Sequence, residues 1–376
     1  MSFDLAHTLR HLVEHGGSDL HLKVPAAPVA RIDGELHPVP GADPMTEADT
    51  ERALREMLQD PAKLEELAAE GETDFSYAIP GLARFRVSAF RQRGAISIVC
   101  RAIPFDVKPF AELGLPDVVR ELAEEPRGIV LLTGTTGSGK STTLAAMIDH
   151  VNATMARHIV TIEDPIEFLH RDKRSVINQR EVGTDTGSFA RALRRVLRQD
   201  PDIILIGEMR DEETVRTALS AAETGHLVLS TLHTVDAAET INRIIDFFPP
   251  HHHGQVRSML AGTVRGIVSQ RLVPAIDGGR VAAVEVLRMT GRIRDAILDP
   301  EQTGRLSEFV AEGAYYGMQT FDQALYAHFS AGRVAREDAL AVASSPQDFK
   351  LLLAAEGRLG TTMDDVRSPA PAAVEG

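Results

Sequence analysis

One cysteine, Cys100, stands in a chain of 376 residues. That count excludes an internal disulfide framework and any zinc site built from several thiolates, and it suits a reducing compartment. No apolar run approaches the roughly 18 residues that a membrane-spanning helix needs. The start, Met1 to Arg10, carries Asp4 and lacks the basic-then-apolar layout of a secretory leader. Positive charge is also in short supply. Against 54 Asp and Glu the chain sets 40 Lys and Arg, a net charge of −14. Broad adhesion to nucleic acid or to an anionic membrane surface is therefore disfavoured, although a local basic patch is not. The expectation is a soluble, cytoplasmic protein without an intrinsic membrane anchor.

What is present is an ordinary globular composition, 43% hydrophobic and 25% charged, at a length that suits two or three domains. The first hundred residues read as a small α+β unit. Leu5, Leu9, Leu12 and Val13 fall at helical spacing before Gly16-Gly17. Asp19 to Lys23 and Val29 to Leu36 alternate as strands, a helix follows from Glu47 to Gln59 with Thr46 as its N-cap, and two strands, Ala83 to Gln92 and Ala95 to Ile103, turn at Arg93-Gly94. Residues 1–104 are thus an expected first domain, and the proline-punctuated stretch 105–116 an expected linker. From Gly128 the pattern changes to short continuous apolar runs, at Gly128 to Thr133, His158 to Ile162, Asp202 to Ile206 and His226 to Thr231, alternating with helices. Runs apolar on both faces suit a buried, mostly parallel sheet covered by helices. The expected second domain is 117–360, α/β with a helical end after a strand at Arg280 to Leu287, and 361–376 is an expected disordered tail.

The densest chemical signal is Gly134-Thr135-Thr136-Gly137-Ser138-Gly139-Lys140-Ser141, a full match to the phosphate-binding loop pattern. An apolar strand precedes it and a helix beginning Ser141-Thr142-Thr143-Leu144 follows. Glycines let successive backbone N–H groups turn inward around phosphates, and the helix N-terminus adds positive potential. Residues Gly134 to Thr142 are the expected cradle for a nucleoside triphosphate. Lys140 is expected to reach the β and γ phosphates, and the Ser141 hydroxyl to ligate Mg²⁺.

Turnover needs acids. Glu208 ends the run from Asp202 to Gly207 and so projects beyond the carboxyl edge of the sheet, where open α/β sheets hold their ligands. A carboxylate there can orient and deprotonate water, a role worth about 10² to 10⁴ in rate. The position before it, where an Mg²⁺-ligating Asp often stands, is Gly207. Another carboxylate must then help with the metal, and Glu163, which also ends an apolar strand in Thr161 to Glu167, is the candidate. His226 and His233 bracket one strand and, seven residues apart, point to opposite faces, so they do not share a metal. His233, at the later end, fits a γ-phosphate contact better.

In order, these segments resemble the four nucleotide-site motifs of the secretion ATPase superfamily: its Walker A loop (Gly134 to Ser141), its acidic box (Thr161 to Glu167), its Walker B (Asp202 to Glu208) and its histidine box (Thr224 to His233). Ser18 to Leu22, Asn178 to Gly183, Gly207 to Asp211 and Gly317 to Leu325 extend the similarity to the type IV pilus retraction ATPases of that superfamily, up to about Glu356. The resemblance implies a hexameric ring whose subunits carry an N-terminal PAS-like domain and a RecA-like ATPase domain, with ATP and Mg²⁺ between them. It implies that Arg86 and Arg101 act as arginine fingers, Glu208 as the catalytic carboxylate, Glu163 as a metal or water partner and His233 as the γ-phosphate sensor. The implied partner is an inner-membrane platform protein that removes pilin subunits from the fibre, with the motor peripheral to that membrane. Gly291 to Leu298 matches a motif tied to retraction only in part.

Two other readings remain open. An assembly or secretion ATPase of the same superfamily usually adds a four-cysteine zinc insertion and a longer N-terminal region. A RecA-like nucleic-acid motor is lowered by the acidic balance. Elsewhere, His251-His252-His253 reads as a solvated loop end, Cys100 as a small core residue, and the row Arg191, Arg194, Arg195, Arg198 as a solvated or subunit-facing stripe.

Overall fold

The computed structural model describes residues 3–32, 34–103 and 107–355. Pro104, the first two positions of the expected linker and the expected tail 361–376 lie outside them. The chain forms two compact units. One is Met1–Val107 with Glu163–Arg171 and Arg180–Gly187; the other is Lys108–Ile162, Asp172–Gln179 and the chain from Ser188 onward. The two short excursions into the first unit have no counterpart in the linear division of the sequence.

The first unit begins with the helix Leu5–Glu14, which buries Leu5, Leu9 and Leu12 on one face and is capped by the Asp4 carboxylate on the His7 amide. Its six strands are β1 (Asp19–Leu22), β2 (Val29–Ile32), β3 (Glu35–Pro38), β4 (Glu72–Ile79), β5 (Ala83–Gln92) and β6 (Ala95–Ile103), in the order β3-β2-β1-β6-β5-β4. The run from Val29 to Leu36, expected as one strand, is a hairpin: the chain turns at Gly34, whose φ of 86° an L side chain rarely adopts. The helix Glu47–Met57 carries a reciprocal capping box between Thr46 and Asp49. Strands β5 and β6 pair over nine positions, from Arg84 opposite Ile103 to Gln92 opposite Ala95. Along β5, Ala83, Phe85, Val87 and Ala89 are buried while Arg84, Arg86 and Ser88 take the other face. Phe85, Val87, Leu9, Leu12, Leu20 and Ile98 form the core with Cys100, whose thiol burial pushes its pKa up to about 12. Truncating a buried Phe such as Phe85 to Ala costs about 3–5 kcal/mol.

The second unit is an α/β layer structure. Its strands are β7 (Gly128–Thr133), β8 (His158–Glu163), β9 (Val176–Glu181), β10 (Ile203–Ile206), β11 (Leu227–Leu232), β12 (Val264–Pro274) and β13 (Arg280–Arg288), ordered β13-β12-β7-β11-β10-β8-β9. Strands β12, β7, β11, β10 and β8 are mutually parallel, and β13 runs antiparallel to β12. Every residue of β7 and β11 is buried, which is why those runs are apolar without alternation. Leu132, Met147, Ile148, Val151, Leu205 and Leu229 belong to one core beneath the helix Lys140–Thr154. A second cluster joins Leu325, Phe349 and Leu353 of the later helices to Val273 on β12 and Ala283 on β13.

This order has a direct consequence for chemistry. Strand β11 lies between β7, which leads into the glycine loop, and β10, which leads into Glu208. Whatever follows β11 at its carboxyl end is therefore set between the loop and that acid.

Candidate functional site

At two positions the glycine loop leaves no room for a side chain. Gly134 has φ 140°, and a Cβ there would meet the Gln270 carbonyl oxygen at 2.4 Å. Gly139 has φ 91°, and its Cβ would meet Gln270 Nε2 at 2.7 Å. Strand β12 thus braces the loop from below: Thr143 Oγ1 donates to Gln270 Oε1 at 2.8 Å, and Thr133 Oγ1 donates to Ser269 Oγ at 2.8 Å. Lys140 is buried, and its ammonium donates to the carbonyls of Gly134 and Thr135 at 2.7 and 3.0 Å. The Ser138 hydroxyl is buried without a hydrogen-bond partner among the described residues. An orphaned hydroxyl, an inward lysine and glycine amides at a helix start make a donor set that suits a polyphosphate. The Ser141 side chain sits in the first turn of that helix, half-buried, a hard oxygen of the kind Mg²⁺ takes.

At the neighbouring strand ends, hydrogen bonds lock the loops in step. Ser230 Oγ donates to the Ile206 carbonyl at 2.9 Å, Thr231 Oγ1 to the Gly207 carbonyl at 2.6 Å, and the Met209 amide to the Thr231 carbonyl at 3.2 Å. These ties bring Glu208 and His233 together, with Nε2 of His233 3.5 Å from Oε2 of Glu208. The Glu208 side chain is only 13% exposed, and its other oxygen pairs with Arg210. His226 lies at the opposite end of β11, where its Nδ1 meets the Ala221 carbonyl at 3.0 Å and helps close the turn before the strand. Glu163 is the last residue of β8, half-buried, with its carbonyl accepting the Val182 amide at 2.8 Å.

In the first unit the expected arginines share a row. Ser76 on β4, Arg86 on β5, Arg101 on β6 and Asp19 on β1 are successive register partners across the sheet. Arg86 is exposed. Arg101 is not equivalent to it, because Nε holds the buried Asp19 carboxylate at 2.8 Å. Arg84, on the same face as Arg86, pairs with Glu181 at 3.1 Å.

Four residues escape the sequence reading: Asp19, Glu181, Arg210 and Gln270. For Gln270 the sequence offered no signal, because Arg265, Ser269 and Arg271 share its strand and a polar residue there is no exception. For Asp19 and Glu181 the partners lie 82 and 105 residues away, beyond any local pattern.

The profile of the type II/IV secretion system protein family matches residues 4–311. The chain belongs to that family. It is similar to the type IV pilus retraction ATPase PilT of Pseudomonas aeruginosa, at 45% identity over 348 residues, 92% of this chain and 100% of that one. It is also similar to a twitching motility protein of Neisseria gonorrhoeae, at 50% identity over 71% of this chain and 72% of that one. Among solved structures, the crystal structure of the pilus retraction motor PilT with bound ADP superposes with a TM-score of 0.86 at 43% identity, covering 93% of this chain and 99% of that chain. The α/β architecture expected from the apolar runs is therefore that of a RecA-like secretion ATPase of this family. No helix among the described residues is long and apolar enough to cross a membrane.

Proposed function

We propose that this family member is an ATP-hydrolysing motor, assembled as a homohexamer, that powers retraction of type IV pili. The observation that carries the reading is the carboxyl edge of the parallel sheet. There a braced phosphate loop, a half-buried acid and an imidazole stand on adjacent strands. The similarity to pilus retraction ATPases supports the direction of the work. In this reading the Lys140 ammonium leaves its two loop carbonyls for the β and γ phosphates, which supply the same kind of oxygen with more charge. Mg²⁺, held by Ser141 with Glu163, would neutralise phosphate charge and fix the geometry of the bound nucleotide.

Glu208 then accepts the proton of the attacking water. Its carboxylate is positioned for this by the hydrogen bonds between the two loops, beside Arg210 and the neighbouring imidazole. An N–H of His233 reports the γ-phosphate through the contact with Glu208. Arg86 neutralises charge that develops on the transferring phosphoryl group, a contribution of about 10³ to 10⁵ in rate where a guanidinium does this, and Arg101 sits beside it under the restraint of Asp19. The motor acts in the cytoplasm and reaches the inner membrane through the pilus platform protein.

The test is a count of surface fibres on host cells lacking the chain, beside cells carrying Glu208→Gln. The expected result is an excess of fibres that never shorten. Bald cells would mean an assembly motor of the same family and would overturn the retraction reading.

A further inference from the structure

Glu181 is a buried carboxylate, with its side chain 5% exposed, and the chemistry proposed above makes no use of it. Its oxygens are nevertheless fully engaged. Ser76 Oγ donates to Oε1 at 2.5 Å, and Thr184 Oγ1 donates to the same oxygen at 3.2 Å. The Ile166 amide donates to Oε2 at 3.0 Å, and Arg84 Nη2 stands 3.1 Å from Oε2. The next residue, Val182, donates its amide to the Glu163 carbonyl. The backbone from Glu163 to Ile166 is therefore gripped at both ends by two consecutive residues. The turn that presents Glu181 is itself closed, with the Asp185 carboxylate on the Glu181 amide at 2.8 Å and the Asp185 amide on the Glu181 carbonyl at 2.8 Å.

The other half of the grip falls on the strands that present the arginines. Ser76 is the register partner of Arg86, and Arg84 precedes Arg86 by two residues on the same face of β5. One side chain thus connects the backbone of the acidic turn to the strand pair carrying the exposed guanidinium.

A buried carboxylate that serves only stability is a costly choice, because an apolar group of similar size often does as well. We infer that Glu181 is a positioning residue for hydrolysis: it fixes the segment carrying Glu163 against the strand carrying Arg86, so that acid and guanidinium are delivered by one anchor. The inference rests on the roles proposed above for Glu163 and Arg86. Displacing a catalytic group by about 1 Å can cost on the order of 10² in rate while leaving substrate affinity intact. Loss of the anchor should therefore appear in kcat and not in nucleotide binding.

The test uses the full chain with Glu181→Gln and, as a milder variant that keeps the Arg84 ion pair, Ser76→Ala. Amide hydrogen exchange without nucleotide reads the anchor itself. Both variants should speed exchange over 163–171, and Glu181→Gln the more, with the P-loop helix unchanged. In turnover, Glu181→Gln should lower kcat by about tenfold or more with an ATP-analogue Kd close to wild type. Added to Glu163→Gln, it should lower kcat by much less than it does alone, because one of the two groups it positions is already gone. Unchanged exchange over 163–171 would overturn the anchor. An undiminished kcat, or a loss that adds fully to that of Glu163→Gln, would overturn the positioning role. A wild-type chain that turned over no ATP would sink the hydrolysis reading and the positioning role with it, while the exchange result would stand by itself.

Discussion

His233 Nε2 stands 3.5 Å from Glu208 Oε2, and the two residues come from adjacent parallel strands, β11 and β10. The pairing is produced by register. Ile206 is opposite Ser230, and each chain continues two or three residues past that pair before presenting its side chain. A site built this way rests on the register of two strands and on the ties from Ser230 and Thr231 to the chain before Glu208.

On the proposed function, replacing Glu208 by Gln removes the proton acceptor and keeps the shape. Turnover should fall by about 10² to 10⁴ while ATP still binds. Steady-state phosphate release beside a fluorescent-nucleotide titration checks both halves; hydrolysis at the wild-type rate would remove Glu208 from the role of base.

Lys140→Ala should abolish nucleotide binding, because the loop then offers only neutral donors to a polyanion. Calorimetric titration with ATP at constant Mg²⁺ is the measurement. Binding at wild-type affinity would mean that the loop is not the phosphate site.

Arg86→Ala and Arg101→Ala should separate. Both should lower turnover, but only Arg101→Ala leaves the buried Asp19 carboxylate without its ion pair, at a cost of about 1–3 kcal/mol. Thermal melts should therefore show a lower Tm for Arg101→Ala and an unchanged one for Arg86→Ala. Restoration of the Tm in Asp19→Asn/Arg101→Ala would identify the cause.

Glu285 on β13 gives a pH dependence. Burial pushes its pKa up to about 7 from the usual value near 4.5, although one oxygen accepts the Ala237 amide at 3.0 Å. Between those values the folded chain holds a proton that the unfolded chain has lost, so the group costs stability as pH rises through the window. A difference of one in pKa corresponds to about 1.4 kcal/mol. Glu285→Gln, which keeps the acceptor for Ala237, should raise the Tm at pH 8 and give a much smaller gain at pH 5. An equal gain at both values would contradict the assignment.

Cys100 should resist thiol reagents in the folded chain, because its sulfur is buried and its pKa lies far above neutral. Titration with a chromogenic disulfide should find no reactive thiol natively and one after denaturation. Fast native reaction would place it outside the core.

The parts legible in the sequence were those written in local pattern. Strands β7, β8, β10 and β11 were visible because burial on both faces makes an unbroken apolar run, and β5 with β6 because one-sided burial alternates. Strand β4 was not, since Phe75, Tyr77 and Ile79 are only half-buried and its other positions are small or charged. Strand β12 follows the helix His253–Thr263 without any turn residue, so nothing in the chain announces it. The places of Lys140 and Ser141 at a helix start, and of Glu208 and His233 just past strand ends, were readable from spacing, whereas the role of His233 came from the resemblance. The grip of Asp19 on Arg101 and of Glu181 on Ser76 was not, because long-range pairs between a carboxylate and its donor leave no periodic trace.

The nine consecutive pairs between β5 and β6, closed by Arg93 and Gly94 at φ 52° and 87°, contain no bulge. A ladder without a bulge cannot absorb a change in length. One residue inserted within the ladder, between Val87 and Ser88, would exchange the two faces of the strand before it, sending guanidinium groups into the core and Phe85 and Val87 into water. Length variation among chains of this kind should therefore collect in the loops and spare this hairpin, whatever substitutions it tolerates.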